Sequence, residues 1–189
     1  MIHINDACIP VLVTEASKEK NDDAIWTVIK AAPFYNENRK DTPIRIVMHD
    51  IVTARKSQGL APGDILLVWG KLSYYADLGM TLYCNSFLVV SKTEDEDDLT
   101  HREFVCGAYT NIPAHIVLQG KINNVAGDTV ILKVKRNTPV RGEIKDYDIL
   151  PIAINNPSNY KNFDQAIFVG NIQNGKLIGT LTNLSKGKS

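Results

Sequence analysis

Apolar and polar residues alternate in short runs along most of this chain, the period that puts every second side chain on one face of a strand. Five such runs occupy the first half, at residues 9–14, 24–30, 44–52, 65–72 and 81–90. Each is rich in Ile, Val, Leu, Tyr or Thr, and polar or Gly/Pro-bearing segments separate them. The second half repeats the order more sparingly, at 114–120, 129–135, 149–154, 165–171 and 177–184. One brief helix is predicted between the third and fourth strands, at 51–58, with Gly59 as its stop signal. Asn174-Gly175 predicts a two-residue hairpin with positive φ at both central positions. At the matching place in the first half, residues 73–80 predict a longer connection.

One pattern occurs twice. Ile65-Leu-Leu-Val-Trp-Gly-Lys-Leu72 and Ala166-Ile-Phe-Val-Gly-Asn-Ile172 are both apolar strands that meet a glycine, restart on a polar and then an aliphatic residue, and enter a hairpin. A repeat of this length argues for two copies of one small β domain, and a glycine inside a strand marks a bulge or tight bend where a sheet curls. The expected fold is all-β: two OB-fold barrels in tandem, each a five-stranded Greek key. The first domain is expected over residues 1–92 and the second over 104–189, joined by an acidic linker at 93–103.

Charge sharpens that division. The formal net charge is zero, yet residues 94–103 hold six acids against Arg102, and residues 104–189 hold ten Lys or Arg against five acids. Ser91-Lys-Thr-Glu-Asp-Glu-Asp-Asp98 has no apolar residue and reads as a solvated linker, or else as an acidic decoy for a basic groove. Three widely spaced cysteines, Cys8, Cys84 and Cys106, form neither a zinc pattern nor a disulfide framework, which fits a reducing cytoplasm. No signal peptide and no membrane-spanning run is expected, so the predicted location is cytoplasmic. His3, His49, His101 and His115 lack metal-ligand spacing, and no nucleophile or phosphate-loop motif is present. The chain is therefore expected to be no enzyme, with no cofactor, no metal and no small-molecule substrate.

Binding residues are the better candidates. Alternation through the fourth strand places Leu66, Val68 and Leu72 inward and Ile65, Leu67, Trp69 and Lys71 outward. Trp69 beside Lys71 is either a base-stacking platform next to a phosphate contact, or packing against a second subunit or the other barrel. Tyr74, Tyr75 and Tyr83 lie on the hairpin and returning strand, and Phe34, Tyr35, Arg39 and Lys40 share one loop. Aromatic and basic residues on such loops suit a single-strand groove, although Phe34 and Tyr35 can equally plug a barrel end. In the second half Val130, Leu132 and Val134 face inward. Ile131, Lys133 and Lys135 face outward, with Arg136 and Arg141 following in the loop. That row is either a phosphate track or a solvated face.

The chain resembles the bacterial single-stranded DNA-binding protein (SSB) family. His115-Ile-Val-Leu-Gln-Gly-Lys-Ile122 is similar to that family's opening strand, Ile131-Leu-Lys-Val-Lys-Arg136 to its second and Tyr147-Asp-Ile-Leu-Pro-Ile-Ala153 to its third. Gly63-Asp-Ile-Leu-Leu-Val-Trp-Gly-Lys-Leu72 is similar to its fourth. The resemblance implies an OB barrel, sequence-tolerant ssDNA binding and a four-barrel assembly, here a homodimer, with a role in DNA replication. Trp69, Tyr74, Tyr75 and Tyr83 would then stack bases. Lys71, Arg39, Lys40, Arg55 and Lys56 would meet phosphates, and Lys133, Lys135, Arg136 and Arg141 would extend the track. Three departures stand out. The sequence ends at Lys188-Ser189 without the family's acidic, aromatic-tipped tail, the second half is poor in aromatics, and Asn171 follows Gly170 where the family prefers a base. The second barrel is therefore expected in a structural or dimerising role. Two other readings compete: a protein-assembly module of a replication, conjugation or phage complex, with Ile65, Leu67 and Trp69 as its interface, and an oligosaccharide-binding barrel.

Overall fold

In a computed structural model, which describes residues 4–21, 24–33, 42–48, 56–92, 115–135 and 147–185, the alternating runs become ten strands. In the first half these are β1 (Asn5–Asn21), β2 (Ala24–Pro33), β3 (Ile44–Met48), β4 (Ile65–Tyr75) and β5 (Gly79–Ser91). In the second they are β6 (His115–Ala126), β7 (Thr129–Lys135), β8 (Tyr147–Ala153), β9 (Gln165–Gln173) and β10 (Lys176–Ser185). A single 3-10 turn, Pro157–Asn159, follows β8.

Strand pairing closes the first five strands into a barrel. β1 runs antiparallel to β2 and to β4, β2 antiparallel to β3, and β4 antiparallel to β5, while β3 and β5 lie parallel. Strands β6 to β10 repeat every one of these relations, with β8 and β10 as the parallel pair. The two sets meet where Asn5 to Cys8 of β1 pair antiparallel with His115 to Leu118 of β6. Ala7 stands opposite Gly70, and Ile116 stands opposite Gly170, so these two residues hold equivalent places. They also pair with each other. The joint is therefore nearly two-fold symmetric about the Ala7–Ile116 pair, as in an isologous contact.

The inward positions read from alternation are fully buried: Leu66, Val68 and Leu72 in β4, and Val130, Leu132 and Val134 in β7. With Ile9, Ile46, Leu82, Ile116, Ile152 and Phe168 they belong to one continuous apolar cluster that draws on both strand sets. The bulge expected at both repeated glycines falls beside Gly70 alone, and what the two share is a close backbone approach. A Cβ at Gly70 would run into the Tyr83 carbonyl oxygen, and one at Gly170 into that of Ile178. The register of β4 against β5 shifts between Trp69 and Gly70, so the sheet bends where neighbouring backbones come closest.

Several boundaries differ from expectation. β1 begins at Asn5 and continues to Asn21, because Ser17 to Asn21 pair with β2 despite carrying no apolar residue. The Ser17 hydroxyl adds a hydrogen bond to the Val28 carbonyl oxygen at 3.2 Å. The connection expected at 73–80 is much shorter: Tyr75 stands opposite Gly79, and only residues 76–78 lie between the strands. Gly79 supplies the left-handed residue, φ +71°, that closes such a three-residue loop. At Asn174-Gly175 the φ values are +50° and +71°, as the two-residue hairpin requires. Of the brief helix at 51–58, Lys56 is helical and residues 57–59 form a turn, with Gly59 at φ +104°. Residues 51–55, the end of the third predicted strand and the acidic linker lie outside the described residues.

Because the Gly70 contact is with backbone, no side-chain motion relieves it. Gly70→Ala is expected to lower stability by about 1–3 kcal/mol, measured as a reduced denaturation midpoint with an unchanged m value.

Candidate nucleic-acid interface

The outer face of β2, β3, β5 and β4 gathers the residues with binding chemistry. Each outward side chain is placed by the parity of its strand. On β4 these are Trp69, Lys71, Ser73 and Tyr75; on β5, Thr81 and Tyr83; on β3, Arg45 and Val47; on β2, Val28 and Lys30. Register brings them side by side. Lys71 is opposite Tyr83, Ser73 opposite Thr81, and Val47 lies between Val28 and Tyr83. Arg45 stands between Lys30 and Thr81.

Val28, Val47 and Tyr83 form a small buried cluster of their own, with half-buried Tyr75 packed against it. The hydroxyls of Tyr75 and Tyr83 are hydrogen-bonded at 2.6 Å. Tyr83 is 8% exposed, so it is the floor of this face, and Tyr75 is the ring that reaches solvent above it. Lys30 is held by Glu15, with 2.8 Å between Nζ and Oε2, an exposed pair worth at most about 1 kcal/mol that still offsets its charge. Lys71, opposite Tyr83, and Arg45, opposite Thr81, are half-buried cations on the same face.

The end of β4 that presents these groups is held from two directions. The Asn5 side chain donates to the Leu72 carbonyl oxygen at 2.8 Å and accepts from the Leu72 N–H at 2.9 Å, which continues the β1–β4 ladder by one more step. The Ser73 hydroxyl donates to Asp148 Oδ1 at 2.5 Å in a buried contact between β4 and β8. Charge-assisted bonds of this kind are about twice as strong as neutral ones.

The structure separates the residues singled out in the sequence. Trp69, Lys71, Tyr75 and Tyr83 share the face just described, with Trp69 half-buried. Tyr74 has the opposite parity, stands opposite Met80 and is 40% exposed, so it lies on the other side of the hairpin from Tyr75. Lys56 is exposed in the connection between β3 and β4. Lys133 and Lys135 lie on the outer face of β7, where Lys133 Nζ sits 4.2 Å from the centre of the Tyr147 ring. Phe34, Tyr35, Arg39, Lys40, Arg55, Arg136 and Arg141 lie outside the described residues. The expectation of an outer apolar interface on β4 is corrected: Ile65 and Leu67 are 2% and 7% exposed, so the chain itself buries them. Arg45, Val28 and Val47 were missed. The signal for Arg45 was present, since it stands between two inward isoleucines in Ile44-Arg-Ile46.

Closure in the order β1–β2–β3–β5–β4 makes the first five strands an OB barrel. No family model matches the sequence, and no curated protein matches it. Among solved structures, a deletion mutant of the single-stranded DNA binding protein from Thermus aquaticus superposes with a TM-score of 0.63 at 10% identity, over 99% of this chain and 97% of that one. The wild-type form of the same protein gives 0.60 at 10% identity, over 100% and 97%. At this identity the likeness is one of fold.

Tyr83 and Tyr74 provide the check on this geometry. Tyr83→Ala is expected to cost about 3–5 kcal/mol, as for other buried aromatic side chains. Tyr74→Ala is expected to cost about 1 kcal/mol or less. Urea denaturation of the two variants measures both.

Proposed function

We propose that this chain is a non-catalytic single-stranded DNA-binding protein with two OB barrels, residues 1–92 and 104–189, and that the strand binds the outer face of β2–β3–β5–β4. The observation that carries this reading is the register that sets Lys71 against Tyr83 and Arg45 one strand away, with the Tyr75 hydroxyl hydrogen-bonded to that of Tyr83. A solvent-reaching ring on the same face as two cations is what a base and its flanking phosphates require. Trp69 extends the stacking surface along β4. The superposition over nearly the whole chain on the single-stranded DNA binding protein from Thermus aquaticus supports the same reading.

Tyr83 acts by supporting Tyr75 rather than by stacking itself. DNA is preferred to RNA because the resemblance is to DNA-binding proteins. A homodimer, bringing four barrels together, and a cytoplasmic replication role complete the proposal. Among the described residues neither Cys8 nor Cys84 forms a disulfide, which suits a reducing compartment. Sedimentation equilibrium giving the mass of one chain at micromolar concentration would remove the homodimer from it.

Affinity for fluorescent oligo-dT is expected to fall steeply with salt, because each neutralised phosphate releases counterions. Lys71→Ala and Arg45→Ala should each reduce the salt slope by about 1. Tyr75→Ala should cost about 1–3 kcal/mol of binding with little change in that slope. No binding of oligo-dT at low salt would end the proposal, and full affinity in Tyr75→Ala would end the stacking assignment.

A further inference from the structure

The second strand set repeats the pairing of the first but not its outer face. Matching positions follow from register. Lys71 opposite Tyr83 becomes Asn171 opposite Ile178, and Lys30 opposite Arg45 becomes Ile131 opposite Pro151. These four cationic or aromatic positions of the first face are therefore uncharged and non-aromatic in the second.

What replaces them is apolar and open to solvent. Ile178 is 38% exposed and Ile149, one step along β8 from Pro151, is 48% exposed. Lys133 and Lys135 on β7 and Lys176 at the start of β10 border this surface. No Asp or Glu stands at a described outward position of β7, β8 or β10. Tyr147 is the one aromatic among those positions, and the Lys133 ammonium lies over its ring.

We propose that the outer face of β7–β8–β10 is a docking surface for an acidic, aliphatic segment of another protein. Aliphatic side chains would cover Ile131, Ile149, Pro151 and Ile178, and the partner's carboxylates would meet Lys133, Lys135 and Lys176. Charge complementarity of this kind selects partners and speeds their encounter. β8 and β10 pair at Leu177–Ile152 and Ile178–Ala153, and the apolar and basic side chains around that pairing carry the recognition.

Nucleic acid fits this face less well, because four aliphatic or proline side chains stand where bases would need rings. A second copy of the chain docking by the same face would set its lysine border against an identical one, which like-charge repulsion opposes. The chain's own acidic run at 94–98 supplies carboxylates but only a single neighbouring aliphatic residue, Leu99, too few to cover four apolar positions. Lys133 and Lys135 thus serve a protein partner instead of a phosphate track.

The test uses the full chain and fluorescent synthetic peptides in which Asp alternates with Ile or Leu, beside control peptides carrying Lys in place of Asp. Wild type is expected to bind the acidic peptides and ignore the basic ones. The double variant Ile149→Ser/Ile178→Ser, and separately Lys176→Glu, should weaken acidic-peptide binding about tenfold or more. Circular dichroism should show an unchanged melt for both, since these positions are exposed. Oligo-dT affinity of the double variant should stay within about twofold of wild type. The proposal is overturned if wild type fails to discriminate the peptides, or if the double variant loses oligo-dT binding, which would make the face a nucleic-acid surface. It is also overturned if the double variant sediments as a smaller species than wild type, which would make the face a contact between copies. Loss of oligo-dT binding by wild type itself would instead strike the function proposed above and leave this one standing.

Discussion

β1 forms hydrogen-bonded ladders with three other strands, and the rest of the architecture depends on that sharing. A strand has two edges, so three partners must divide its length. One edge carries β6 along Asn5 to Cys8 and then β2 from Val11 onward, while the other carries β4 from Ala7 to Leu12. The bulge between Val13 and Glu15 adds the local twist with which β1 follows β2. Without β6, residues 5–8 would present an open edge, the kind of template for unwanted pairing that folded proteins cover. β6 repeats the arrangement with β1, β7 and β9. The two strand sets therefore complete each other at their first strands.

That joint also organises the face assigned to nucleic acid. Asn5, at the start of the shared segment, captures the Leu72 backbone, and Asp148 at the start of β8 captures Ser73. Lys71 and Tyr75 flank these two anchored residues, so the site on the first set is positioned partly by the second. A face held in place before binding loses less conformational entropy when it binds. Inner and outer faces have been under different constraints. The inner positions must fill a closed volume, so both sets kept aliphatic side chains there. The outer positions had only register to obey, and there the basic and aromatic character of one set gives way to aliphatic character in the other.

Local chemistry made much of this legible in the sequence. The alternation at Leu66, Val68 and Leu72 identified core positions because burial on one face imposes a period of two. The glycine at 70 marked a bulge, and Asn174-Gly175 marked a turn because few residues accept positive φ twice in succession. What was illegible depended on partners distant in the chain. The β1–β6 joint leaves no local signature, since Ala7 and Ile116 are ordinary strand residues until they meet. Tyr83 read as a stacking residue because it lies on the strand returning from the tyrosine-bearing hairpin. Its burial comes from Val28 and Val47, on strands whose register cannot be read locally. Tyr74 and Tyr75 read as a pair until a three-residue loop kept both in strands, which put them on opposite faces. Arg45 could have been found by the parity argument used for Lys71, but its neighbours drew attention as core.

The central claim is that one outer face, belonging to the first strand set, receives the single strand. Photo-crosslinking of the whole chain to oligo-dT carrying 5-iodouracil, followed by mass spectrometry of the adducted peptides, examines that placement directly. Adducts on Tyr75 and Trp69 are expected, with none on β7 to β10. Adducts confined to β7–β10 peptides, or spread evenly over the chain, would contradict it.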